Sequence, residues 1–141
     1  MKATPTALKV LRLMGEIPEV VERWNPHARC HQDLYGFIDI VSTPRGSGPL
    51  RLVQVFNESK SGGLRSRHLR KILGDDTARS ALYSLAANPG VRVEMWALKK
   101  SVREGHYFLV SVIGPRANIE ERYRLTLDGE RLKVRRGGRP R

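Results

Sequence analysis

Asp39 and Gln54 are the residues whose types and spacing most directly invite a chemical reading. Residues 37 to 43 and 50 to 56 both read as strands, and the Pro44-Arg-Gly-Ser-Gly-Pro49 link between them has the composition and length of a hairpin turn. With that turn centred between Gly46 and Ser47, Ile38 faces Val55 and Ile40 faces Val53, which makes one wholly apolar face for a core. The opposite face then pairs Phe37 with Phe56, Val41 with Leu52, and Asp39 with Gln54. Two polar side chains at the centre of an apolar surface are costly to bury unless something satisfies the carboxylate, and a hydrated divalent cation does so. The competing reading is a hydrogen-bonded cross-strand pair on a solvated face. Glu58-Ser59-Lys60, an acid, a spacer and a lysine directly after the second strand, is a fallback catalytic pair. Were the strand to run on through residue 60, Glu58 and Lys60 would share the Gln54 face, opposite Tyr35 and Asp33. The neighbouring Asn57, Ser61, Gly62 and Gly63 argue instead for a solvated loop.

The elements that must position these residues follow from periodicity. Residues 7 to 23 carry Leu8, Leu11, Ile17, Val20 and Val21 near helical spacing, so a helix is expected there, interrupted near Gly15 or restarted at Pro18 and stopped by Asn25-Pro26. Strand-like runs follow at 28–34, 37–43 and 50–57. Residues 64–87 are helical in composition, punctuated by Gly74-Asp75-Asp76 into two helices with an Asp as the second N-cap. Period two returns at 91–98, 107–113 and 123–127, and Asp128-Gly129 is a hairpin turn before 132–134. The expected class is α/β: helix, three-stranded meander, helix pair and strand over about residues 7–100, with a β-rich extension at 101–134. Residues 1–134 are expected to form a single domain, and 135–141 a flexible basic tail.

Composition narrows the function. Twenty-six Lys and Arg against fourteen Asp and Glu give a formal charge of +12 in 141 residues, which calls for a polyanionic partner, nucleic acid first. No apolar run approaches the ~20 residues of a membrane span, and no leader peptide is evident, so a cytoplasmic protein without membrane attachment is expected. The single Cys30 excludes an internal disulfide and a thiolate zinc site. His27, His31, His68 and His106 have no zinc-ligand spacing. Trp24 and Trp96 read as core anchors, with stacking on an unpaired base as the alternative for an aromatic beside a cleft.

The run WNPHARCHQDLYGFIDIV, then LVQV, RSRHLRKI and VEMWALKK, resembles small phage-type nucleases of the PD-(D/E)XK, restriction-endonuclease-like superfamily, which includes Holliday junction resolvases. The resemblance implies a nuclease-like domain with a central sheet flanked by helices, and Mg2+ or Mn2+ held by an Asp on the second strand and a Glu or Gln on the third. Carried over, Asp39 and Gln54 take those positions, and the backbone carbonyl of Val55 is a further oxygen ligand. Glu22, at the end of the first helix, resembles the acid that such enzymes contribute from that helix, and Asp33 is the other candidate to complete the oxygen shell. Phe56 stands where the family places lysine, a departure that puts catalysis in question. Arg67, His68 and Lys71 share a helix face, and Lys71 is the expected substitute. Arg65, Arg67, His68 and Arg70 are the expected nucleic-acid contacts. The implied activity is magnesium-dependent endonucleolytic cleavage of branched DNA, in a homodimer, in the cytoplasm of a bacterial or phage-infected cell. The alternatives are a catalytically inactive DNA-binding protein on the same fold and a basic RNA-binding protein.

Overall fold

A computed structural model describes residues 1–58, 63–103 and 105–134. Helix α1, Ala3–Leu13, buries Ala3, Ala7, Val10 and Leu11 along one stripe. Its N-terminus is satisfied from a distant strand, where Asn57 Oδ1 accepts from the Ala3 amide at 3.2 Å. Gly15, at φ +84°, turns the chain directly into strand β1, Glu16–Val20. The helix expected through residue 23 therefore ends at Leu13, and Glu22 follows a strand rather than closing a helix. Two short strands, β2 (Arg23–Asn25) and β3 (Cys30–Gln32), replace the single strand expected at 28–34 and form a small separate ribbon.

Strands β4 (Ile40–Pro44) and β5 (Leu50–Asn57) form the expected hairpin, with Ile40 opposite Val53 and Val41 opposite Leu52. Phe37 lies in the turn that precedes β4, so it does not pair with Phe56 as the hairpin register had implied. Helices α2 (Leu64–Leu73) and α3 (Asp76–Ala86) carry the chain across to β6 (Val91–Ser101), which pairs parallel with β5. The break between the helices is a cap: Asp75 accepts from the Thr77 amide at 3.1 Å. Strands β7 (Gly105–Ile113), β8 (Ile119–Thr126) and β9 (Arg131–Lys133) extend the same sheet antiparallel. Among the described residues the result is a seven-stranded mixed sheet in the order β1-β4-β5-β6-β7-β8-β9, with three helices. The expected meander is met only in its last two strands: β1 takes the place of the first, and residues 28–34 lie outside the main sheet. The tail at 135–141 lies outside the described residues.

Strand alternation sends Val53, Trp96, Phe108 and Leu125 to the α1 face, and Leu52, Phe56, Met95 and Ile113 to the α2/α3 face, so helices cover the sheet on both sides. The α1 face also holds a buried ionic network. Glu94, 0% exposed, accepts from Arg51 (2.7 Å), Arg92 (2.6 Å), the Trp96 indole (2.8 Å) and the Tyr123 hydroxyl (3.3 Å). Arg51 reaches on to Glu16 at 2.9 Å. Burial and the neighbouring Glu94 push Tyr123 up to about 12. Among the described residues, no helix is long and apolar enough to cross a membrane.

Candidate functional site

The tetrapeptide Asp33-Leu-Tyr-Gly36 begins a tight turn. Tyr35 and Gly36 take positive φ (55° and 81°), and Leu34 and Ile38 exchange hydrogen bonds of 2.9 and 3.0 Å across it. Asp33 and Asp39 are the next residues outward on either side of that bridge, so the turn folds them against each other. Asp39 is further fixed by its backbone: its amide donates to Val53 on β5 (2.9 Å), and its carbonyl accepts from Val21 just beyond β1 (2.9 Å). The Val55 amide donates to Asp39 Oδ2 at 2.8 Å. Asp39 thus bonds the two residues that flank Gln54 in the chain, which brings the expected Asp39 and Gln54 positions together. Val55 enters the site here through its N–H.

Glu22, Asp33 and Asp39 each present a carboxylate oxygen within 4.8 Å of the others. The helix end expected for Glu22 is absent, yet the chain leaving β1 delivers it to the same place. Glu22 and Asp33 also line a cleft of about 510 Å³ with Val20, Val21, Arg23, Gln32, Leu34 and Tyr35. Asp39 is 9% exposed, and its carboxyl is pushed up to about 8, first by burial, then by its hydrogen bond and like charge from Asp33, with a smaller push from Glu22. The Val55 amide opposes this shift. Without a counter-charge, the cluster therefore retains a proton in the neutral pH range.

Gln54 is 7% exposed on the α2/α3 face, where its Nε2 donates to His68 Nδ1 on α2 at 3.0 Å. Burial, with Lys71 and Arg67 as like charges, holds His68 below the usual imidazole range, so the neutral ring accepts this bond. The same ring lies 4.7 Å from Phe56. This contact accounts for an aromatic residue at position 56. Gln54 Oε1 is buried and has no hydrogen-bond partner among the described residues. An orphaned buried carbonyl oxygen costs roughly 1–3 kcal/mol, which a cation or donor at that atom would recover.

The fallback pair divides. Glu58 lies just beyond β5, and its Oε1 accepts from the Leu64 amide at 3.4 Å, a bond to the first turn of α2; Lys60 is outside the described residues. Lys71, Arg67 and Arg70 are exposed on α2. Arg65 is half-buried, with a buried Nε lacking a partner among the described residues, and burial and Arg122 of β8 hold it below its usual range. Arg122, opposite Ser111, and Arg124, opposite Leu109 and over the Tyr107 ring, were not singled out in the sequence. Their signal was the alternation of Arg122 and Arg124 along one strand. Trp96 is 0% exposed, as expected of a core anchor, but Trp24 is 56% exposed on β2. Comparison with protein-family models, curated proteins and solved structures finds no match to this chain.

Proposed function

We propose that this protein is a metal-dependent endodeoxyribonuclease with a restriction-endonuclease-like core, acting on branched or structured DNA, with Glu22, Asp33, Asp39 and Gln54 as its metal-binding residues. The observation that carries the reading is the convergence of three carboxylates at one end of a hairpin, where Asp39 bonds the two residues flanking Gln54, whose buried amide oxygen has no partner among the described residues. The fold keeps these acids together against their repulsion, and an all-oxygen donor set of this kind suits magnesium or manganese. When bound, such an ion would polarise a phosphodiester oxygen and lower the pKa of a water.

The chain's own residues do the rest. The Val55 amide orients the Asp39 carboxylate, and neutral His68 holds the Gln54 amide so that Nε2 is occupied and Oε1 is free. Phe56 supplies no charge, so stabilisation of the developing phosphorane falls to the cations of α2, with Lys71 in the leading role. Arg65, Arg67, Arg70 and, from the extension, Arg122 and Arg124 hold the backbone. Arg65 is half-buried and feels the like charge of Arg122, only partly offset by Glu58, and a bound phosphate would stabilise both guanidiniums. Symmetric cutting of a four-way junction would need two copies of the chain.

Cleavage of a synthetic four-way junction in magnesium is the test. It should be metal-dependent and lost in Asp39→Ala, and undiminished cutting by that variant would remove the mechanism. Phe56 favours a second reading, a DNA-binding protein of the same fold without hydrolysis. Tight, salt-sensitive binding with no cutting of branched, single-stranded or duplex DNA would select it.

A further inference from the structure

The ribbon formed by β2 and β3 rises directly from the cleft. Its first pair, Arg23 opposite Gln32, lines the cleft wall. Its second pair is Trp24 opposite His31, whose rings meet edge to face at 5.2 Å. Asn25 closes the far end by accepting from the His27 and Ala28 amides at 2.9 and 3.2 Å. Carried one step toward the cleft, the same register sets Glu22 opposite Asp33. By the two-residue period of a strand, that acid pair and the Trp24/His31 pair fall on one face of the ribbon. Their spacing along the strand is about 7 Å, roughly two base-stacking steps of 3.4 Å. The contact between His31 Nδ1 and Glu22 Oε1, 3.5 Å, agrees with that placement.

The Trp24 indole is 56% exposed on a ribbon too short to have a core, with the His31 ring against it, which leaves it accessible to a ligand. The charged side chains on the ribbon itself are cationic, Arg23 and Arg29, and both are exposed, as are His27 and His31. This combination of an open aromatic face and flanking cations, on a chain of formal charge +12, complements a nucleic-acid strand better than a protein surface. Base pairs in a duplex have no free face to offer, so the matching ligand has an unpaired base.

We infer that Trp24, backed by His31, is a stacking platform for an unpaired base of a nucleic-acid strand whose backbone runs past the Glu22–Asp33 pair. The inference rests on the nucleic-acid part of the function proposed above and deepens it. It makes the preferred substrate one with unpaired nucleotides at the branch, and gives the ribbon the task of selecting it.

The test is binding by the full chain in EDTA, so that hydrolysis plays no part, to a fluorescein-labelled oligothymidylate and to a duplex of equal length. Trp24→Ala should weaken single-strand binding by about 5- to 150-fold and leave duplex binding within about two-fold. Trp24→Phe, which keeps an aromatic face, should retain most of the affinity. Trp96 is wholly buried, so single-strand quenching of the wild-type indole emission should vanish in Trp24→Phe. Equal loss on both ligands, no loss on the single strand, no nucleic-acid binding by the wild type, or Trp24 shielded only by self-association would each overturn the platform. Asp39→Asn should keep the Trp24-dependent binding. Failure of hydrolysis with intact stacking, or the reverse, thus separates the two claims.

Discussion

Replacing Asp39 by asparagine should make the metal-free protein more stable at high pH, against the usual outcome for a buried polar substitution. In the fold, the Asp39 carboxyl is pushed up to about 8, above an ordinary value of 3.8. The folded chain therefore keeps a proton that the unfolded chain releases, and stability falls as pH rises from about 4 to about 8. At pH 7 the wild type lies some three units above the unfolded value. At 1.36 kcal/mol per unit, that is an upper bound of about 4 kcal/mol, reduced as the cleft relaxes and admits water. The amide introduced by Asp39→Asn would have an oxygen to accept from the Val55 N–H and an N–H to offer Asp33, the two bonds of the protonated acid. Being neutral, it would not titrate. Thermal unfolding in EDTA from pH 5 to 8.5 reads this directly. The wild-type Tm should drop across the range, by up to about 15 °C, while the variant stays level and overtakes it at high pH. Magnesium should raise the wild-type Tm and leave the variant's unchanged. A variant less stable than wild type at pH 8 in EDTA, or one with the same pH slope, would refute the reasoning.

Other expectations follow from single contacts. His68→Phe keeps a ring against Phe56 but removes the acceptor that orients Gln54, so manganese affinity measured by calorimetry should fall by about ten-fold or more. Glu94→Gln breaks a buried, multiply paired carboxylate and should cost about 3–5 kcal/mol in urea denaturation while leaving manganese affinity unchanged. Arg122→Gln should lower the slope of log affinity against log salt for DNA by about one unit, and should not destabilise the free protein, because Arg65 loses a like-charged neighbour.

The β4–β5 hairpin was legible because Ile40, Val53, Val41 and Leu52 alternate cleanly between two faces, and a slip of one residue would have sent each to the opposite face. The α2/α3 break was legible from one capping Asp. Strand β1 was not, because Ile17, Val20 and Val21 fall on helical spacing with Leu8 and Leu11. Only the positive φ of Gly15 and pairing with β4 decide the matter, and Pro18 is tolerated because β1 is an edge strand. The acids were legible as residue types, but their meeting depended on the turn at Tyr35-Gly36, where residues three positions either side of Gly36 fold back on each other. Trp24 departs from the average behaviour of tryptophan, on which the core-anchor reading rested; its exposure reflects a ribbon too short to have a core. Arg51 and Glu94, charged residues in mid-strand, find each other only through the parallel β5–β6 pairing, a non-local contact that periodicity does not register.

Anomalous diffraction from a crystal soaked in manganese tests the central claim most directly. A peak bounded by Glu22, Asp33, Asp39 and Gln54 Oε1, absent from Asp39→Asn crystals, is the predicted result. Density for no ion there at saturating manganese, or an ion bound elsewhere with these side chains unmoved, would contradict it.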